Sequence, residues 1–122
     1  MGLDMYAYTT RAALACPTDF DQPEDAGQLH YWRKHPDLHG WMEALYRQKG
    51  GQESCFNCAA VALTAIDLDK LEADIRAERL PDTDGFFFGE SNGKEVSGDL
   101  DFITKARAAI AAGFAVYYTS WW

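Results

Sequence analysis

The sequence predicts an α+β fold: a small mixed or antiparallel sheet of about four strands with about three helices packed against it. Three observations carry that expectation. Apolar residues recur at helical spacing in three places: Leu38, Trp41, Met42 and Leu45; Leu68, Leu71 and Ile75; Leu100, Ile103 and Ile110. Residues 2–9 and 114–121 instead alternate their side chains as strands do. The segments between them are short and rich in Gly, Pro, Asp and Ser, so residues 1–122 read as one domain with no internal repeat.

In residues 2–9, Leu3, Met5 and Ala7 fall on one face and Asp4, Tyr6 and Tyr8 on the other. Residues 16–27 hold Pro17, Pro23 and four acids, which oppose both helix and sheet and predict an exposed loop. Residues 28–33 are expected to be extended as the chain approaches Pro36. That proline suits a first helical turn, and Gly50-Gly51 supplies the stop. Gly40 inside this helix costs about 1 kcal/mol relative to Ala, and close approach of another element beside Trp41 would compensate.

Residues 56–64 are short, apolar and small, and are read as a strand. Asp67 is expected to cap the next helix, which ends at Leu80-Pro81. Asp82-Thr83-Asp84-Gly85 is turn chemistry that lacks the oxygen ligands of a calcium loop. The run Phe86-Phe87-Phe88 cannot alternate between core and water, so it is expected to be a central strand covered on both faces. Residues 91–98 read as a polar loop, and Gly113 closes the last helix.

Eleven basic against nineteen acidic residues give a net charge of −8. No Lys/Arg cluster is present to grip a nucleic acid or an anionic membrane, so neither is an expected partner. No apolar run reaches membrane-spanning length, and the first residues lack a basic stretch followed by an apolar one. The cytoplasm is the expected location, and three cysteines, an odd number, fit a reducing compartment.

Chemistry concentrates in residues 31–41. Arg33 offers a planar fork of donors for a carboxylate or phosphate, and Tyr31, Trp32 and Trp41 could stack on it or on a flat ligand. His39 is a candidate acid, base or donor. Asp4 is the natural partner of Arg33, whether in a site or in a structural ion pair beneath the aromatic residues. His35 and His39 lie four apart, but Pro36 places His35 at the helix edge, so a two-histidine clamp is not expected. Cys55 and Cys58, with Cys16, make a weak metal set because a second ligand pair is missing; packing as small hydrophobes is the preferred reading. Of the terminal tryptophans, Trp121 is expected to pack and Trp122 to remain partly exposed as a partner-binding ring. No cofactor is indicated.

Four segments share a pattern: Met1-Gly2-Leu3-Asp4-Met5-Tyr6, Tyr31-Trp32-Arg33-Lys34 with His39 and Trp41, Gly85-Phe86-Phe87-Phe88-Gly89, and Tyr118-Thr119-Ser120-Trp121. Together they resemble, in order and over nearly the whole chain, a group of small proteins found in bacteria and their phages. The resemblance implies a mobile-element setting and no particular activity. Kinase chemistry is not implied, since no Gly-x-x-x-x-Gly-Lys-Ser/Thr phosphate loop is present. Pro36, Gly40, Cys58 and residues 93–98 depart from the group's pattern, which weakens any claim to one shared ligand.

The function expected is a small binding or regulatory protein that engages a protein partner or a small anionic ligand, compatible with a homodimer. The alternative is an enzyme acting on a phosphate- or carboxylate-bearing small molecule through Arg33, His39 and Asp4. A zinc-stabilised module through Cys16, Cys55 and Cys58 is a third, weaker reading.

Overall fold

A computed structural model describes residues 2–85 and 88–122. The elements follow as β1 (Asp4–Thr10), β2 (Gly27–Arg33), α1 (Pro36–Gln48), β3 (Val61–Leu63), α2 (Ala65–Arg76), α3 (Val96–Ala111) and β4 (Ala115–Trp121). The strands form one antiparallel sheet in the order β2-β1-β4-β3. The α+β fold expected from the sequence is present, with four strands and three helices among the described residues.

Strand alternation sorts the side chains into two faces. Across the sheet, Trp32 pairs with Met5 and Met5 with Ser120, while His30, Ala7, Tyr118 and Val61 make the next row. These rows meet the helices. Leu38, Met42, Leu45 and Tyr46 of α1, Leu68, Leu71 and Ile75 of α2, and Phe102, Ile103 and Ala106 of α3 join them in one core. The stripe read from spacing in α2 is the buried one, and so is that of α1 except for Trp41, which is half-buried. In α3 the buried stripe is Phe102, Ile103 and Ala106, with Leu100 and Ile110 only partly covered. β2 carries one extra residue, Leu29, between the pairs Ala7–His30 and Tyr8–Gln28, and this bulge turns Leu29 onto the core.

Pro36 opens α1 as expected, and Gly40 has the predicted cause. A Cβ there would sit 2.0 Å from the Thr83 hydroxyl, because residues 81–84 lie across the helix. Thr83 N–H donates to the Asp37 carboxylate at 3.1 Å, which holds that crossing in place.

Residues 28–33 are extended as expected, within the edge strand β2. Several other expectations are corrected. Only Val61–Leu63 of residues 56–64 is strand, because Cys58 adopts φ 61°, a left-handed geometry that interrupts extension, and its N–H donates to Ser120 O at 2.8 Å. The loop at 16–27 is partly tied down: Thr18 is buried and bridges Val61, and Ala62 N–H donates to Pro17 O. Thr64, not Asp67, is the N-cap of α2; Asp67 completes a reciprocal capping box at the third helical position. α3 starts at Val96, inside the expected loop. Of the expected phenylalanine strand, Phe86 and Phe87 lie outside the described residues. Phe88 is buried but belongs to no strand, and its N–H donates to Gly85 O at 3.1 Å.

Candidate functional site

Residues 31–41, adjacent in sequence, are dispersed by the fold. Tyr31 and Arg33 point to the face of the sheet opposite the helices, while Trp32 between them points into the core. Lys34 adopts φ 54° and turns the chain from strand to helix, with its N–H donating to Leu3 O at 2.8 Å. His35 then sits outside the first turn of α1, and His39 and Trp41 lie one turn further along on different sides.

The open face is built from cross-strand rows. Arg33, Asp4 and Trp121 form the first, Tyr31, Tyr6 and Thr119 the second, and Gln28, Tyr8 and Tyr117 the third. Tyr31 hydroxyl donates to Asp4 Oδ1 at 2.6 Å and Arg33 Nε to the same oxygen at 3.3 Å. The expected Asp4–Arg33 pair therefore forms, and both members remain solvent-accessible. The hydrogen bond to Asp4 raises the Tyr31 hydroxyl pKa above its ordinary value. Tyr6 lies 5.3 Å from Tyr31 and 5.9 Å from Tyr8 between ring centres, and Tyr8 stacks at 5.5 Å on Tyr117. Phe20 closes the far end, edge-on to Tyr117 at 5.1 Å. Trp121 is 68% exposed. Tyr6, Tyr8, Thr119 and Trp121, with Gln22 and Cys58, line a shallow depression of about 200 Å³.

The inner face has different chemistry. His39 is fully buried among Phe56, Phe88, Tyr118 and Trp122, with Nδ1 2.7 Å from the Tyr118 hydroxyl. Its Nε2 meets no partner among the described residues. Burial lowers its pKa to about 4, so the ring is neutral at physiological pH. His39 and the Asp4–Arg33 pair lie on opposite sides of the sheet, so the three do not compose the enzyme site that the sequence suggested. Trp41 is elsewhere again, its Nε1 donating to Asp74 of α2 at 2.8 Å. Of the four aromatic and basic residues expected at one ligand, only Tyr31 and Arg33 share a surface.

A second polar cluster went unread in the sequence. His35 Nε2 lies 2.8 Å from Asp99 Oδ2, and Nδ1 lies 2.6 Å from Ser91 Oγ. Trp32 Nε1 donates to the other Asp99 oxygen at 3.0 Å, and Asp37 N–H donates to Ser91 Oγ at 3.1 Å. Residues 35, 91 and 99 carry no local spacing signal. Only the folded chain brings them together.

Of the terminal tryptophans, Trp121 corrects the expectation, and Trp122 is half-buried. Trp121 is the exposed ring, since it falls on the outer side of β4. Trp122 packs edge-on to His39 and Phe88, each at 5.0 Å, and its backbone is bound twice by the Asn57 side chain. Cys16, Cys55 and Cys58 are free thiols as expected but are exposed rather than packed inside. Among the described residues no group of three or more His, Cys, Asp or Glu is placed to hold a metal ion, so these cysteines do not assemble a zinc site. Among the described residues, no helix is long and apolar enough to cross a membrane. Half of the aromatic face is legible in the sequence: alternation puts Asp4, Tyr6 and Tyr8 on one side of their strand, and Tyr31 and Arg33 alternate in phase with each other.

No protein family, curated protein or solved structure matches the chain.

Proposed function

We propose that the protein is a small binding module that engages a protein partner through the open face of its sheet. The observation that carries this reading is the set of aromatic rings Tyr31, Tyr6, Tyr8 and Trp121 on the face opposite the three helices. Tyrosine and tryptophan give large contact area at low conformational cost and dominate binding hot spots. A hydrogen-bonded sheet with a packed core beneath it presents them at fixed spacing, which limits the ordering cost of association. Asp4 and Arg33 at the margin provide a polar rim.

A protein partner is favoured over a small anion for an electrostatic reason. The Arg33 charge is already answered by Asp4, and a chain of net charge −8 repels anions at range. The same charge opposes face-to-face pairing of two copies and favours a partner with basic side chains. The resemblance to bacterial and phage proteins supports a regulatory role in a mobile-element setting.

Photo-crosslinking tests the reading. A benzophenone side chain placed at position 121 is expected to capture a protein from cells that make the chain, whereas one at Ile66, also exposed but on α2, is not. Equal capture from both positions would remove the open face as the recognition surface. Sedimentation over a concentration series separates a foreign partner from a second copy.

A further inference from the structure

The Ser91–His35–Asp99 cluster takes no part in the binding reading, and its geometry is that of a nucleophile relay. We propose that Ser91 is a nucleophile activated by His35, able to attack small neutral or cationic acyl esters. Three observations support the assignment. The hydrogen bonds are met by a neutral His35 ring protonated on Nε2. Asp99, as a carboxylate, can only accept, so His35 Nε2 carries the proton and donates to it at 2.8 Å. Nδ1 is then the free base, and it faces the Ser91 hydroxyl at 2.6 Å. The second Asp99 oxygen is occupied by Trp32 Nε1, which locks the carboxylate that orients the ring. This is the base-and-orienter logic of activated serine, with the two imidazole nitrogens exchanged relative to the usual triad.

Burial is graded in the way such chemistry needs. Asp99 and His35 are sealed, at 1% and 3% exposure, while Ser91 is half-buried at the wall of an open cavity of about 210 Å³. That cavity defines the substrate class. Ile75, Leu80 and Val96 give it an apolar part that suits a short acyl chain, and Asp37, Glu78 and Glu95 give it an acidic part that disfavours carboxylates and phosphates. Asp37 N–H donates to Ser91 Oγ at 3.1 Å and holds the hydroxyl at the start of α1.

The reaction balances without any further reagent than water. Ser91 Oγ adds to the ester carbonyl carbon as its proton passes to His35 Nδ1, and Asp99 stabilises the imidazolium through Nε2–H. Collapse breaks the acyl carbon–oxygen bond, and the departing alcohol takes the proton from Nδ1. Water then attacks the acyl-serine, gives its proton to Nδ1, and the acid leaves as Ser91 Oγ recovers that proton. Ser91 and His35 are the catalytic residues; Asp99 and Trp32 are positioning residues.

The test is an uncharged alkyl fluorophosphonate, which forms an Oγ–P bond and releases fluoride, followed by peptide mapping of the intact wild-type chain. Labelling is expected at Ser91 and not at Ser54 or Ser97, which are exposed but have no base bonded to them. His35→Gln is expected to slow it by about 100-fold or more, in the range of general-base catalysis. Asp99→Asn, which keeps the shape and loses the acceptor that orients the ring, should slow labelling at Ser91. p-Nitrophenyl acetate should be hydrolysed by the wild type and not by Ser91→Ala. Absence of labelling at Ser91 in the wild type, or equal labelling of Ser54 and Ser97, overturns the proposal, and neither observation depends on a variant that must fold. Because the cluster is separate from the open face, its failure leaves the binding reading intact.

Discussion

The two faces of the sheet are made from the same strands and share their alternating residues, yet they differ in what fills them. On the inner face every large side chain has a helix above it: Met5, Trp32, Tyr118 and Val116 are all under 8% exposed. On the outer face, one residue away along each strand, Tyr31, Tyr6, Tyr8 and Trp121 keep their rings in contact with water. A protein that needed the sheet only as scaffold would place threonine, lysine or glutamate there. Tyr117 on that face is buried beneath Phe20, whereas the rings of Tyr31 and Trp121 stay exposed, and it is these that the proposed recognition would use.

The comparison breaks most sharply by removing a tryptophan from each side. Trp32→Ala deletes a buried ring that meets Phe102 edge-on at 4.8 Å and donates to Asp99, so it should cost about 3–5 kcal/mol in urea unfolding. Trp121→Ala, on the outer face of the same sheet, should stay within about 1 kcal/mol. Comparable losses from both would mean the outer face is structural after all.

Acid provides the next test. Burial depresses the His39 pKa from 6.5 to about 4, so the unfolded chain binds the extra proton first as pH falls. Stability attached to the neutral ring is complete above pH 6.5 and is lost as pH falls toward 4. The total is roughly 3 kcal/mol at the usual conversion of pKa to free energy. His39→Leu should flatten that part of the stability–pH curve. An unchanged slope in the variant would show that His39 is not the group responsible.

The smallest effect concerns the rim. Asp4→Asn removes the charge facing Arg33 in a pair that is 46% and 35% exposed. Stability should change by less than about 1 kcal/mol, as for other exposed pairs. A larger loss by thermal unfolding would place the pair in the scaffold rather than at a binding margin.

How much of this was readable in advance differs between fold and site, for a physical reason. Helical stripes such as Leu68, Leu71 and Ile75 and the alternation of residues 4–8 are local patterns, and local patterns survive into the structure. β3 is shorter than residues 56–64 because Cys58 adopts a left-handed angle that no local sequence pattern signals. The sites depend on which strand face meets the helices and on contacts such as His35 to Asp99, 64 residues apart. Residues 31–41 looked like one site because they are adjacent in sequence; a strand places neighbours on opposite faces, so Tyr31 and Trp32 part company by construction. Trp121 is exposed rather than packed for the same reason, since a single step of register decides which ring of a strand is covered.

The proposal that the outer face is the surface that engages a protein is tested most directly by affinity capture from cells that make the chain. Wild type, the Tyr31→Ala/Trp121→Ala double variant and Ile66→Ala would be compared at equal folded concentration. The account predicts a partner retained by wild type and Ile66→Ala and reduced about 30-fold or more in the double variant, the loss expected for hot-spot rings worth about 2 kcal/mol or more together. Equal recovery of every captured protein by all three would contradict it.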